Sequence, residues 1–400
     1  MISGFHRLSI EARRRLLNRD DFGESDMISL GGEVCEETAQ LDLMSENVVG
    51  ALRLPIGILT GLVVNGIEHV VPMATEEPSI IAAVNRTARL INASGGIKAE
   101  VMKPVTTAQI MLVIDRNSAQ HLCDCILADK REWLNVANLC DHTLIALGGG
   151  AFALDTELLP EDAEWPETFV VARIHVYTLD AMGANIVNTM AEAVMRGMIE
   201  KYRAISEMAS IEPGMAILTN ASPGRMVSAS VRMDFGVLST ICGMDGKTFA
   251  RLIARSSAFA MRSRERAITH NKGILNGIIA ASLVFGQDTR ALGIAAIDHA
   301  SHNGHKPLAS WTIENNALCG SLKMPIVAGF VGGSRSCPQY EAACKLAGIG
   351  SYNVLCGILA GVGLAQNLGA LWALSTEGIQ AGHMKLHRRK ATDHGEHESQ

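Results

Sequence analysis

The run Arg266-Ala267-Ile268-Thr269-His270-Asn271-Lys272-Gly273-Ile274-Leu275-Asn276-Gly277 sets one lysine among side chains that hydrogen-bond, cap or turn, and Asp288 follows sixteen residues after it. Glycines in the run let backbone approach a ligand closely. A lysine so placed can hold fixed positive charge beside an oxygen that becomes negative, provided a carboxylate keeps it protonated. An ammonium about 4 Å from a carboxylate gains roughly 4 kcal/mol at an effective dielectric near 20, so Asp288 is expected to hold Lys272 charged. Glu76-Glu77-Pro78-Ser79 offers a proton donor, because burial or a neighbouring charge keeps a carboxyl neutral. Adjacent strand residues point to opposite faces, so one glutamate should face a cleft and the other away. Either could instead cap the helix that follows. In Asp180-Ala181-Met182-Gly183-Ala184-Asn185 a strand ends, Gly183 permits close approach, and the next helix aims free N–H groups at an anion. An ordinary capped strand-to-helix turn has the same pattern. Gly382-His383-Met384 adds a histidine able to exchange a proton near neutral pH.

The elements that must position these groups can be read from periodicity. Leu8 to Asn18 is helical, with Ser9 able to cap it; Val63-Val64-Asn65-Gly66-Ile67 reads as a hairpin; Pro78 to Asn92 is a helix opening just after the glutamates. Gln109 to Asp115 and Phe169 to Thr178 alternate as strands, Ser118 to Asn138 reads as one helix, a long helix runs from Ala184 through Arg203, and Met215 to Leu218 is a short strand. Strand and helix alternating in this way indicate an α/β subdomain inserted in a helix-rich chain. No Gly-x-Gly-x-x-Gly follows any strand, and Gly148-Gly149-Gly150 lacks the lysine and hydroxyl of a phosphate loop. A doubly wound dinucleotide domain is therefore not expected.

Composition narrows the class. Of 400 residues 48% are hydrophobic and 19% charged, so the chain is globular. Its net charge of -6 argues against nucleic acid, which needs clustered Lys and Arg. The basic clusters Arg262-Arg264-Arg266 and His387 to Lys390 read as solvated faces, the first better placed for a ligand anion. Nine cysteines without framework spacing fit reduced thiols, and no secretory segment opens the chain. Leu355 to Leu374 is apolar apart from Gln366 and Asn367 and is long enough to span a bilayer; its amide pair and Gly/Ala density favour a buried helix pair. Asp298, His299, His302 and His305 invite a metal reading that Gly304 interrupts, so no metal is expected. Arg388 to Gln400 is polar and read as disordered.

The four segments, taken in chain order, resemble the 3-hydroxy-3-methylglutaryl-coenzyme A (HMG-CoA) reductases, in their soluble bacterial (class II) branch, from about Arg7 to His387. The resemblance implies an α+β fold. A large helix-rich substrate domain (1–102 and 223–374) would carry an inserted ferredoxin-like cofactor domain (103–222) of four antiparallel strands and two helices. That domain is not a Rossmann fold, and a short C-terminal flap (375–400) would follow. It further implies reduction of HMG-CoA to mevalonate and coenzyme A with two NAD(P)H, or the reverse. Matching the motifs residue by residue makes Glu77 the proton donor, Lys272 with Asp288 the oxyanion stabiliser, and His383 the acid for the coenzyme A thiolate. Ser79, Asn220, Arg266, Asn276 and Gln366 would line the substrate site, and Arg7 would meet coenzyme A phosphates. Asp180, Met182, Gly183, Ala184 and Asn185 would hold the cofactor. Asp141 would face the adenosine ribose, where a carboxylate accepts from the 2′-OH and repels a 2′-phosphate, favouring NADH (NAD) over NADPH (NADP). A cytoplasmic homodimer with interfacial active sites, and no membrane partner, is expected. The alternative is a catalytically weak relative that binds acyl-CoA as a sensor. Only seventeen residues follow His383, a shorter closing segment than the class II pattern.

Overall fold

The computed structural model describes residues 4–302, 304–332 and 338–376. The helices Ile10–Leu17 (α1), Glu24–Gly31 (α2) and Glu36–Asp42 (α3) belong to a compact unit that ends at Pro55. Ser9 caps α1 by accepting from the Ala12 N–H at 3.3 Å. Buried Arg13 ties the unit together, donating to Asp42, to the Val48 carbonyl at 3.0 Å and to the Phe5 carbonyl at 3.2 Å.

A second unit begins at Ile56. Strands Ile56–Val64 (β1) and Ile67–Ala74 (β2) form the expected hairpin: Asn65 and Gly66 take φ of 51° and 81°, a type I′ turn. The chain then enters helix Ile80–Ala93 (α4) and strand Lys98–Val101 (β3).

The segment that follows builds its own sheet and core. Strands Val105–Ile114 (β4), Gly150–Leu159 (β5), Thr168–Tyr177 (β6) and Glu212–Leu218 (β7) lie in the order β5-β6-β4-β7, every neighbour antiparallel. With helices between β4 and β5 and between β6 and β7, this is the split βαβ, ferredoxin-like arrangement. Ala108, Ile110, Leu112 and Ile114 of β4 point to the covered face, as strict alternation requires. They meet Ala119, Leu122 and Ile126 of helix Arg116–Ala128 (α5), Trp133 of Lys130–Asn138 (α6) and Val187, Met190 and Val194 of Ala184–Arg203 (α8).

Two features differ from the sequence reading. The single helix expected over Ser118 to Asn138 is broken at Asp129, whose carboxylate is drawn aside by Lys201 Nζ at 2.9 Å and the Tyr202 hydroxyl at 3.0 Å. With the short helix His142–Ala146 (α7), four helices accompany the sheet where two were expected.

Strand Met226–Asp234 (β8) returns to the larger core. Helices Phe235–Ile241 (α9), Gly246–Arg262 (α10), Arg264–Val284 (α11) and Thr289–Ser301 (α12) follow, then strands Ala309–Glu314 (β9) and Ala317–Pro325 (β10) and helices Pro338–Ala347 (α13) and Tyr352–Ser375 (α14). A second four-stranded sheet, β3-β8-β10-β9, backs these helices. The expected helix pair over Leu355 to Leu374 is one continuous helix, α14. Its glycines admit neighbours and do not break it: a Cβ on Gly363 would sit 2.6 Å from Ile278 Cδ1. α14 is long and apolar enough to cross a bilayer, yet 89% of that apolar window is buried in protein, the position of a core helix. Cys123, Cys125, Cys140, Cys242, Cys319 and Cys356 are free thiols.

Candidate active site

β2 packs against α11, and this packing brings together two groups 195 positions apart in sequence. After β2 the chain turns through Thr75, whose Oγ1 accepts the Glu77 N–H at 3.1 Å. Glu76 then points to solvent while Glu77 is half-buried, the opposite facing expected of neighbours in extended chain. Lys272 Nζ lies 3.0 Å from Glu77 Oε2, with side chains 61% and 38% exposed, so the pair is open to solvent. An exposed pair of this kind contributes only about 0.2–1 kcal/mol to stability. Folding alone gives little reason for it.

The turn of α11 that carries Lys272 is pinned from behind. Asn271 donates to the Lys306 carbonyl at 2.9 Å and accepts the Leu308 N–H at 2.8 Å. Buried His270 meets the Ala309 carbonyl at 3.1 Å and Asn367 Nδ2 at 3.0 Å through Nε2, and Asn367 Oδ1 accepts from Trp311 Nε1 at 2.8 Å. The polar neighbours of Lys272 in sequence are therefore clamps turned inward. Asn276, one turn on, is half-buried on the same helix, and beside it Gly277 lets Gln366 of α14 approach; a Cβ there would meet Gln366 Cβ at 2.9 Å. Gln366 is 5% exposed and its Oε1 has no partner among the described residues. Arg266 is half-buried in the first turn of α11, its N–H capped by Ser263 Oγ at 3.3 Å. Ser79 stands at the N-cap of α4 with φ 73°, a left-handed conformation costly for a residue with a Cβ.

The Asp288 carboxylate is taken up at the start of α12. Its Oδ1 accepts the Arg290 and Ala291 N–H groups at 3.0 and 3.1 Å, capping α12, and its Oδ2 pairs with Arg290 Nη2 at 3.1 Å. The expected Lys272–Asp288 ion pair is not formed; the free N–H groups of a helix start and a guanidinium two residues on take this carboxylate instead. Arg7 is exposed at the end of a short 3-10 turn in the first unit, and His383 lies outside the described residues, as does the polar tail.

The segment after β6 forms a second polar constellation. Gly183 has φ 90° as the N-cap of α8, and a Cβ there would sit 2.4 Å from Thr178 Cγ2, so only glycine fits. Among the described residues no side chain caps α8, leaving the N–H groups around Ala184 and exposed Asn185 free for an anion. The Asp180 carboxylate accepts the Tyr352 N–H at 2.7 Å at the start of α14, and its carbonyl accepts from Phe330 and Val331. Met182 and Ala184 share a small cleft with exposed Asn220, Thr106 and Ser222. The uncapped helix start, with a cradle that a Cβ would fill, fits a dinucleotide diphosphate. Asp141 caps α7 by accepting the Leu144 N–H at 2.9 Å.

Sequence reasoning missed Arg225. It is 1% exposed and donates to Thr106 Oγ1 (2.8 Å), Thr178 Oγ1 (2.7 Å), the Ala181 carbonyl (3.1 Å), the Met182 carbonyl (2.5 Å) and the Ala328 carbonyl (3.0 Å). The available signal was a charge after Pro223-Gly224 directly before the apolar start of a strand. Among the described residues, no three His, Cys, Asp or Glu side chains converge as a metal-ligand set.

Comparison with known proteins identifies the family. The family profile of hydroxymethylglutaryl-coenzyme A reductase matches residues 9–388. The chain is 33% identical to the 3-hydroxy-3-methylglutaryl-coenzyme A reductase of Archaeoglobus fulgidus over 399 residues, covering 97% of this chain and 86% of that protein. It is 32% identical to a probable enzyme of the same name from Borreliella burgdorferi, covering 87% of this chain and 77% of that one. Among solved structures it resembles the class II enzyme of Streptococcus pneumoniae bound to NADPH in open conformations, with TM-score 0.77 and 34% identity over 93% of this chain and 99% of that chain. The chain belongs to the hydroxymethylglutaryl-coenzyme A reductase family, as an oxidoreductase of mevalonate metabolism with the fold of the class II enzymes.

Proposed function

We propose that Lys272 and Glu77 carry the charge and proton work of this HMG-CoA reductase, on the strength of one observation: Lys272 Nζ stands 3.0 Å from Glu77 Oε2, both side chains partly open to solvent. The nicotinamide cofactor supplies hydride to a carbonyl carbon, twice for each HMG-CoA taken to mevalonate and coenzyme A. At each step the Lys272 ammonium faces the oxygen that gains charge, where a fixed cation does most in a water-excluded site. Glu77, beside it, delivers the proton. With Asp288 engaged as a cap, Glu77 is the counter-ion of Lys272 before substrate enters. His383 protonates the coenzyme A thiolate, whose conjugate acid lies near about 8.5 by analogy with cysteine. The same groups serve the reverse reaction.

Ser79, Asn220, Arg266, Asn276 and Gln366 bind the hydroxymethylglutaryl portion, and the unpartnered Gln366 Oε1 is an acceptor held ready for a hydroxyl. Arg7 serves the coenzyme A phosphates. Residues 103–222 are the cofactor domain, with Asp180 to Asn185 at the diphosphate; 1–102 and 223–374 form the substrate domain and 375–400 the flap. Asp141 favours NADH by accepting from the ribose 2′-OH and repelling a 2′-phosphate. NADPH is the second reading, because the pneumococcal relative was solved with it. The protein works in the cytoplasm as a homodimer whose active sites lie at the subunit interface. Purified protein with HMG-CoA should oxidise two reduced nicotinamides per substrate, faster with NADH than NADPH, and should elute at twice the chain mass of 42.7 kDa. No oxidation of either cofactor, beside a working control enzyme, defeats the reading; an active monomer defeats its dimer part.

A further inference from the structure

Arg225 sits where the two hydrophobic cores of the second unit meet. It lies on the connection from β7 to β8, one of the two places where the chain passes between the smaller core and the larger. Its acceptors come from both sides. Thr106 opens β4 and Thr178 follows β6 on the smaller core, while Ala328 follows β10 on the larger. Its own carbonyl accepts the Ile326 N–H at 3.0 Å, and its guanidinium lies 5.6 Å from the Tyr352 ring centroid. Every acceptor is a neutral oxygen, and no carboxylate partners it among the described residues.

Such an arrangement is costly for a fold to keep. A buried cation without a counter-ion loses hydration that neutral oxygens only partly replace. Burial accordingly pulls the guanidinium below its ordinary range. A fold needing only a joint between two cores could fill this place with an apolar side chain. A single fork that gathers Thr178, Ala181 and Met182 does something an apolar side chain cannot. It draws those oxygens inward, so that the left-handed Gly183 and the uncapped start of α8 face outward. Thr178 takes part twice, since its hydroxyl also donates to the Ala181 carbonyl at 2.9 Å. Its methyl is the atom that abuts Gly183.

We propose that Arg225 is a positioning residue for the dinucleotide: its guanidinium fixes segment 178–184 in the shape that receives the cofactor and fastens that segment to the substrate-binding core. The inference rests on the reading of Asp180 to Asn185 as the cofactor segment. Arg225 touches no reacting atom, so its effect falls on dinucleotide binding and on hydride alignment, not on recognition of HMG-CoA. Lysine is a poor substitute, because a point charge with three donors cannot span this set of acceptors.

The test compares wild type with Arg225→Met, Arg225→Lys and Thr178→Val. NADH and NADPH binding is followed by nucleotide fluorescence without substrate, and HMG-CoA binding by calorimetry without nucleotide. Arg225→Met should weaken dinucleotide binding by roughly tenfold or more, as expected when several charge-assisted hydrogen bonds are lost together, with HMG-CoA binding within about threefold of wild type. Arg225→Lys should restore less than half of the loss on a logarithmic scale, and Thr178→Val should weaken dinucleotide binding by about threefold to tenfold. Unchanged dinucleotide affinity in folded Arg225→Met, or equal loss of both ligands, overturns the proposal. If Arg225→Met does not fold, Thr178→Val decides, and wild-type dinucleotide affinity in that variant is the overturning result. A wild-type protein that binds HMG-CoA but neither nucleotide would sink the cofactor-segment reading itself, an outcome distinct from the others.

Discussion

Replacing Gly183 with alanine adds one carbon where the structure has no room for it. At φ 90° an L-residue costs about 1–2 kcal/mol relative to glycine. The new Cβ would also lie 2.4 Å from Thr178 Cγ2 and 3.0 Å from Thr178 Cβ. Thr178 is 1% exposed and cannot rotate away without giving up its bonds to Arg225 and to the Ala181 carbonyl. Adding about 1–2 kcal/mol for that overpacking gives about 2–4 kcal/mol, or roughly 30-fold to several-hundred-fold in an equilibrium constant. Because the strain is confined to the turn entering α8, most of it should appear as weaker dinucleotide binding. Fluorescence titration of Gly183→Ala with NADH and NADPH measures this, and calorimetry with HMG-CoA is the control. Wild-type dinucleotide affinity in a folded Gly183→Ala protein would refute the steric reasoning.

Acid should unfold this protein partly through His270. Burial, with Arg266 nearby, pulls its imidazole down to about 4. In the unfolded chain it titrates near about 6.5 and takes up its proton first, so its contribution is complete above that pH and is lost as pH falls toward about 4, amounting to about 3 kcal/mol. Urea unfolding at pH 7, 5.5 and 4 should show wild type losing that much more than His270→Gln; parallel pH dependences would contradict it. Gln366→Leu removes a buried oxygen without a partner, so the unfolding free energy should hold steady or rise by about 1–3 kcal/mol while HMG-CoA affinity falls roughly tenfold. A destabilised variant with full HMG-CoA affinity would show that Gln366 serves the fold and not the ligand.

Features governed by near neighbours along the chain are legible in the amino-acid sequence alone. Asn65-Gly66 demands a type I′ turn, Ser9 caps the helix it precedes, and Gly183 marks a turn that only glycine can make. Alternation in β4 and β6 reveals two strands of the smaller sheet, whereas β5 escapes because most of its outward positions carry no regular polarity. Tertiary competition sets the limit elsewhere. Asp288 follows Lys272 at a suggestive spacing, but the start of α12 and Arg290 are stronger claimants for its carboxylate. His270 and Asn271 look like companions of Lys272, and the helix turns them toward Ala309 and Lys306. Arg225 is invisible in sequence because its importance lies in five oxygens drawn from separate parts of the chain.

Presteady-state hydride transfer in Lys272→Met, beside wild type and with saturating HMG-CoA and nucleotide, tests the central claim most directly. If the ammonium paired with Glu77 neutralises the oxygen that accepts charge, the first-turnover rate should fall by about a hundredfold to a thousandfold, with nucleotide affinity and unfolding midpoint unchanged. A first-turnover rate within tenfold of wild type would contradict the account.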